Sequence, residues 1–341
     1  MSSRRVGVVG TGLIGTSVAL SLAAQGWEAI GWDPDAAVRA EVDALGAFAA
    51  VAKSEAGAVE GADLVVLAGP PSSVPEILGR LATDALVTDL AGVKAGIVGQ
   101  GSHLSHYVSS HPMAGREVSG PGAASPSLFR GAVWIAITDG ASEGDLEALE
   151  AVVRSVGANP VRMTAAEHDD AVAVISHLPQ VLASALVGEA TDHPAGLGLA
   201  SGSFRDLTRV AASNPELWTD LLVANGQALA TVIESYAGRL HRWAEAVRKG
   251  RISEVADALA SSHETRRGMA PAVVAVPVVL ADQPGELAKV GHALESSQVD
   301  IRDLQLRHAT YGGGGILTLS VRPGEAETLR SALEAEGLLL A

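Results

Sequence analysis

The sequence contains no cysteine. That excludes disulfides and thiolate metal sites but leaves the redox compartment open. Aromatic residues make up only 3% of the 341 positions, so the cores must be built from Ala, Val, Leu and Ile. Lysine occurs only at positions 53, 94, 249 and 289, and 24 basic residues face 39 acidic ones for a formal net charge of −15. No Lys/Arg-rich run interrupts that balance. A nucleic-acid-binding face needs concentrated positive charge, so nucleic acid is not expected as a partner, and the acidic excess serves solubility. No segment reaches the ~18 uninterrupted apolar residues of a membrane-spanning helix. The early apolar run "VGVVGTGLIGTSVAL" is broken by Gly10, Gly12 and Gly15. Their spacing suits the first strand and turn of a nucleotide-binding fold better than a signal peptide. A cytoplasmic protein without a metal site is expected.

Hydrophobic residues, at 48%, are ample for several cores. Over residues 4–165, short β-branched runs alternate with amphipathic ones: "RVGVV", "EAIGW", "DLVVLAG", "ALVTDLA", "HYVSSH" and "AVWIAIT" read as strands. These runs are nearly continuous in apolar character, as in a parallel sheet covered by helices on both faces. Residues 1–165 are therefore expected to form a Rossmann-type doubly wound α/β domain.

From 166 to 268 nothing reads as a strand. "AEHDDAVAVISHLPQVLASALVGEAT" predicts one long helix kinked at Pro179. "SNPELWTDLLVANGQALATVIESYAGRLHRWAEAVRKG" predicts another, with Asn214 as cap, Pro215 at the first helical position and Glu216 at the positive end. Both are apolar on more than one face, which implies burial in a bundle or between subunits. An all-α middle domain forming a homodimer is expected. Residues 271–341 follow the order βαββαβ, a ferredoxin-like unit, with "LLLA" as a short last strand.

Three motifs carry chemistry. Gly10-Thr-Gly12-Leu13-Ile14-Gly15 follows a strand, opens a helix, and is followed by Asp33 at the end of the next strand. Gly10 permits the tight turn, Gly12 the approach of a pyrophosphate, and Gly15 close helix–strand packing. Asp33 would bond a ribose 2′-hydroxyl and repel a 2′-phosphate, and "PDAAV" after it offers no immediate Arg, so NAD is favoured over NADP. "TDLAGVK" ends a strand at the carboxyl edge where such sheets bind ligands; its Lys94 reads equally as a ligand-facing residue or an ordinary helix residue. In "SSHPMAGREVSG", His111 lies at a strand's carboxyl end, where a neutral imidazole could take a proton from a substrate hydroxyl as hydride leaves the same carbon.

Together "VGVVGTGLIGTS", "DLAGVK", "SSHPMAGRE", "EHDDAVAVISHLP" and "FRDLTRVAASNPELWTDLL" resemble the prephenate dehydrogenase family through about residue 250. The remainder, with "ADQPGELAKVGHAL", resembles an ACT regulatory domain. The resemblance implies NAD-dependent oxidative decarboxylation of prephenate to 4-hydroxyphenylpyruvate in tyrosine biosynthesis: the C–OH carbon is oxidised while the ring carboxylate leaves as CO2. It implies that His111 engages the ring hydroxyl and that Arg209 binds a substrate carboxylate. His177 would line the substrate pocket, and Glu117 and Asp206 would gate it. For Arg205 and Arg209 a solvated helix face is the alternative. An amino-acid effector at the ACT-like domain is also implied. Gly92 departs from the family, which often has a serine there to bond the catalytic histidine; water or Ser110 is expected to orient His111 instead. Arogenate dehydrogenase has the same chemistry on an amino-acid side chain, and no residue in the motifs decides between the two. A β-hydroxyacid dehydrogenase would rely on a lysine within residues 166–248, and there is none. A non-catalytic NAD-binding sensor is the rival outside the enzymes.

Overall fold

The structure, a computed structural model, describes residues 3–115, 118–269, 273–308 and 314–341. The chain divides into two compact units, Met1–Arg239 and Leu240–Ala341. The expected boundary at 165/166 lies inside the first unit, because side chains of the helical segment bond directly to the nucleotide-type domain.

The first unit opens with β1 (Arg5–Val9), α1 (Leu13–Ala23), β2 (Glu28–Trp32), α2 (Ala36–Leu45), β3 (Ala50–Val51), α3 (Glu55–Val59), β4 (Leu64–Leu67), α4 (Val74–Arg80) and β5 (Leu86–Asp89). The five strands form a parallel sheet in the order β3-β2-β1-β4-β5, the Rossmann order. Val6, Val8, Leu64 and Val66 pack with Val18 and Leu22 of α1. Val9, Val65, Leu67 and Val87 pack with Leu78 of α4 in a second core. Burial on both faces is why these strands carry no polar alternation.

The sheet does not continue through residue 165 as expected. β6 (Ser110–Pro112), β7 (Val133–Ile137) and β8 (Asn159–Met163) make a separate three-stranded sheet, β6 antiparallel to β7 and β7 parallel to β8, with α5 (Glu143–Ser155) between the last two. Tyr107 still bridges to Val87 of β5. Ser109 and Ser110 then bond to Asp89, and the chain leaves β5 for β7. His111 therefore sits in the middle of a three-residue strand, opposite Ile135.

α6 (Ala165–Val172) starts with a capping box between Thr164 and Glu167. A π turn, Ala173–His177, separates it from α7 (Leu178–Thr191). The predicted single helix is thus interrupted before Pro179, which falls harmlessly in the first turn of α7. By length and composition the run Ala165–Thr191 could cross a membrane. It nevertheless carries His168, Asp169 and His177 buried in hydrogen bonds, as a core helix does. α8 (Pro194–Leu197) and α9 (Gly202–Thr208) follow, then the turn Arg209–Ala212 and α10 (Pro215–Ala224). The Asn214 side chain caps α10, accepting from the N–H groups of Glu216 and Leu217 at 2.9 and 3.2 Å. The second predicted helix breaks at Asn225, whose side chain is committed elsewhere, before α11 (Gly226–Arg248) and α12 (Ile252–Met269).

In the second unit, β9 (Val274–Leu280), α13 (Glu286–Ser297), β10 (Asp303–His308), β11 (Gly315–Val321), α14 (Ala326–Ala335) and β12 (Leu339–Leu340) follow the expected order. The strands form an antiparallel sheet, β10-β11-β9-β12. One face packs Val276, Val278, Leu317 and Leu319 against Val290, Leu329 and Leu333 of the helices.

Candidate functional site

The glycine turn lies between β1 and α1 at the carboxyl edge of the parallel sheet. Gly10 has φ +94°, and a Cβ there would meet the Ala68 carbonyl oxygen at 2.7 Å, so only glycine fits. No atom lies within 4 Å of where a Cβ would stand on Gly12, which leaves the space a pyrophosphate needs above the helix N-terminus. Leu13 and Ile14 open α1, and Gly15 is buried in it. Asp33 follows β2; its Oδ2 accepts the Thr11 N–H at 2.8 Å and its Oδ1 the Asp35 N–H at 3.0 Å. The carboxylate is thereby held beside the turn with lone pairs to spare. An arginine does stand close by: Arg39 Nη1 donates to the Pro34 carbonyl at 3.0 Å and to the Asp33 carbonyl. Its contacts are to backbone oxygens. These features fit a dinucleotide.

The polar centre begins at Asp89, the last residue of β5. Its carboxylate accepts from Lys94 Nζ at 2.6 Å, Tyr107 OH at 2.7 Å, Ser109 Oγ at 2.6 Å and the Ala91 N–H at 3.1 Å. Asp89 and Lys94 are fully buried, so Lys94 is not an ordinary helix residue. Burial pulls the Lys94 ammonium below its usual range, and the Asp89 carboxylate opposes that. Burial also pushes the Tyr107 hydroxyl up, reinforced by Asp89.

Beside this hub three side chains form a relay. His168 Nδ1 lies 2.7 Å from Asp169 Oδ1, and His168 Nε2 lies 2.9 Å from His111 Nδ1. The two rings meet edge-on, with centroids 5.1 Å apart. Asp169 is anchored by the backbone N–H groups of Lys94 and Ala95, each at 2.8 Å. Burial alone would raise its carboxyl, but the His168 and backbone hydrogen bonds outweigh this and hold it below the usual range. The network sets the tautomers. An ionised carboxylate only accepts, so His168 carries its proton on Nδ1 and offers Nε2 as acceptor. His111 then donates from Nδ1, and its Nε2 lone pair is left for another proton. Burial, then the charge of Lys94, then His168 and His177, hold His111 well below the ordinary histidine value. It is a neutral base at neutral pH.

Ser110 does not orient His111. Its hydroxyl is occupied by Thr88 at 2.7 Å, Trp134 at 3.1 Å and the Asp89 carbonyl at 3.2 Å; His168 supplies the orientation. At Gly92 a Cβ would lie 3.8 Å from His111 Nε2 and 2.7 Å from Leu221 Cδ2. The backbone there faces the basic nitrogen, with α10 closing over it. α10 is further tied to the β4–α4 loop, where Asp220 accepts the Ser72 N–H at 3.0 Å.

His177 is buried, with Nδ1 3.2 Å from Asn225 Nδ2 and its ring edge-on to Trp218 at 6.2 Å. Asn225 also donates to the Asp169 carbonyl at 2.8 Å. An amide NH2 facing Nδ1 leaves the His177 proton on Nε2, a donor. Burial pulls His177 below its ordinary value, Asp169 opposing. Arg209 and Asp206 are exposed, on the turn after α9 and on α9 itself; that turn packs against α7. Glu117 lies outside the described residues. His111 and His177 are thus joined through His168, Asp169 and Asn225 in one polar centre. His168, Asp169 and Asn225 were not anticipated as site residues. The adjacent "HD" at 168–169 was the available signal. Among the described residues no group of three or more His, Asp or Glu is arranged to hold a metal ion.

A Rossmann-ordered sheet with its glycine turn, and the Asp169–His168–His111 relay beside the end of β5, define a nucleotide-dependent oxidoreductase. The nucleotide-binding domain model of prephenate dehydrogenase matches residues 18–162, and the dimerization domain model residues 164–261. The prephenate dehydrogenase of Lactococcus lactis subsp. cremoris is 32% identical over 256 residues, covering 70% of this chain and 69% of the relative. The chain belongs to the prephenate dehydrogenase family. Two crystal structures share its fold. Prephenate dehydrogenase from A. aeolicus, in complex with hydroxyphenyl propionate and NAD+, is 27% identical with a TM-score of 0.71, over 79% of this chain and 99% of that one. Synechocystis arogenate dehydrogenase is 28% identical with a TM-score of 0.67, over 78% of this chain and all of that one.

Proposed function

We propose that the protein is an NAD-dependent dehydrogenase that converts prephenate to 4-hydroxyphenylpyruvate with loss of CO2, in tyrosine biosynthesis, with arogenate as the alternative substrate. The observation that carries this reading is the Asp169–His168–His111 relay, which leaves a neutral basic nitrogen at the carboxyl edge of a dinucleotide-type sheet. Gly10, Gly12, Leu13, Ile14 and Gly15 would hold the pyrophosphate of NAD, and Asp33 the adenosine ribose. When bound, NAD supplies the hydride acceptor. His111 Nε2 takes the proton of the ring hydroxyl. His168 and Asp169 stabilise the imidazolium so formed, because the new charge faces an ionised carboxylate through one ring. The ring carboxylate then leaves as CO2, and aromatisation of the ring drives the reaction. Arg209 binds a carboxylate of the substrate through its guanidinium fork. His177 donates from Nε2 to the substrate, and Glu117 and Asp206 would gate its entry, as the family resemblance implies.

The domain division we infer is 1–165 for NAD binding, 166–268 for substrate and dimerisation, and 271–341 for regulation. Exposed Val174, Ile175, Leu186 and Val187 on the π turn and α7 support a homodimer that buries them. The βαββαβ order and the β10-β11-β9-β12 sheet support a ferredoxin-like ACT domain with an amino-acid effector. A cytoplasmic location accompanies this biosynthetic role.

The test is NADH formation by the purified protein with NAD and prephenate, with arogenate in parallel. Turnover with either is the expected result. No turnover with both, despite NAD binding, would favour the sensor reading.

A further inference from the structure

We propose that Gly92 and Leu221 are a matched pair that seats α10 over the catalytic base, and that Leu221 is a positioning residue whose methyl closes the space beside His111 Nε2 to water. This rests on the dehydrogenase reading above.

The glycine at 92 is not needed for its backbone, because Gly92 is not among the glycines with positive φ. What matters is the Cβ it lacks. One built on its backbone would stand 2.7 Å from Leu221 Cδ2, closer than two such carbons approach, and 3.8 Å from both Nε2 and Cε1 of His111. The Leu221 methyl therefore occupies the place that any side chain at 92 would need, next to the edge of the imidazole that carries the free lone pair. The backbone beneath is held. The Ala91 N–H bonds Asp89 at 3.1 Å, and the Lys94 and Ala95 N–H groups bond Asp169 at 2.8 Å. A side chain at 92 must displace Leu221 and not the segment that carries it.

Leu221 is constrained in turn. It is half-buried against the core that contains Ala91 and Val93. Along α10 it belongs to one stripe at helix spacing, Trp218, Leu221 and the capping residue Asn225. Trp218 meets the His177 ring edge-on, and Asn225 bonds both His177 and the Asp169 carbonyl. Leu217 and Val223, off that stripe, are exposed. The inward face of α10 is thus spent on the polar centre: two of its residues hold His177 and Asp169, and the third stands by the base. An apolar atom there replaces water that would otherwise solvate a charged imidazole. The groups whose charge acts on His111 are Lys94, His168 and His177, with Asp169 behind His168. A change at 92 or 221 leaves all of them in the chain.

The experiment compares the wild type, Gly92→Ala, Leu221→Ala and the double variant. It measures kcat, KM and the pH profile of kcat/KM with prephenate and with arogenate at saturating NAD, and the melting temperatures. Gly92→Ala should lower kcat by about tenfold or more, since a misplacement of about 1 Å can cost that much. Adding Leu221→Ala should restore most of it, because the methyl that the new Cβ strikes is gone. Leu221→Ala alone should move the acidic limb of kcat/KM to higher pH, because water beside Nε2 favours the charged imidazole. A purely structural role for Leu221 would leave that limb in place. Gly92→Ala with wild-type kcat overturns the proposal, as do losses that multiply in the double variant or an unmoved acidic limb in Leu221→Ala. If Gly92→Ala does not fold, the double variant should recover the fold, and one that does not overturns the proposal. A wild type inactive on both substrates overturns the dehydrogenase reading instead. The pair is then judged on the melting temperatures, where the double variant should again recover the Gly92→Ala loss and additive losses overturn it.

Discussion

The glycine turn and the histidine relay share one edge of the molecule and are made in opposite ways. The turn comes from residues 10–15 plus Asp33, within one strand–helix–strand unit, and its working parts are backbone: a positive φ at Gly10, open space at Gly12, a helix N-terminus. The relay draws on β6, on α6 and on the Lys94–Ala95 backbone after β5, and its working parts are side chains and the tautomers they impose on one another. A site of the first kind tolerates most side-chain changes around it but not a Cβ in the wrong place. A site of the second kind tolerates backbone drift poorly and can be silenced by one amide replacing one imidazole. Damage to the turn should therefore appear in cofactor binding, and damage to the relay in kcat.

The sharpest way to break that contrast is His111→Asn. It should lower kcat by about 10²- to 10⁴-fold, the usual worth of a positioned base, while NAD affinity measured by fluorescence titration stays the same. A parallel loss of NAD binding would merge the two sites into one. Next in size is Lys94→Met, which leaves the buried Asp89 carboxylate without its cation. It should cost about 3–5 kcal/mol in denaturant unfolding, and adding Asp89→Asn should recover part of that. Gly10→Ala tests the other side of the comparison. With φ at +94° and the Ala68 carbonyl in the way, it should cost about 1–3 kcal/mol of stability and weaken NAD binding. At saturating NAD its kcat should stay near that of the wild type.

The smallest effect is in pH. His111 and His177 both sit below the ordinary histidine value when folded. The acidic limb of kcat/KM should therefore fall below about pH 6.5. Stability should change as well. As pH drops below about 6.5 the unfolded chain binds protons that the folded histidines refuse, so stability falls with falling pH. The slope is at most about 1.4 kcal/mol per pH unit for each histidine, readable as a declining melting temperature. Stability that rose on acidification would contradict the depressed values of His111 and His177.

The same contrast explains what the sequence disclosed. The glycine turn, β1, α1 and β2 were legible because their determinants are adjacent, and near-continuous apolar strands announced a doubly covered sheet. His111 was legible from its place after a strand-like run before Pro112. What the local pattern could not show was long-range. The departure of β6 from β5 to β7 depends on Ser109 and Ser110 meeting Asp89, twenty residues away in sequence. The orienting partner of His111 stands at 168, fifty-seven residues on. The π turn at Ala173–His177 leaves no clear mark in the hydrophobic period, so the eye goes to Pro179 instead. Asn225 looked like a mid-helix residue until its amide proved to bridge Asp169 and His177.

The central claim is that His111 receives the proton as the head of a buried relay, with His168 and Asp169 stabilising the charge it gains. The most direct measurement is kcat with prephenate for His168→Gln beside the wild type, with NAD affinity measured on the same preparations. The account predicts a fall in kcat of about tenfold or more, with NAD affinity and far-UV dichroism unchanged. A His168→Gln variant that keeps full kcat and the wild-type pH profile would contradict it.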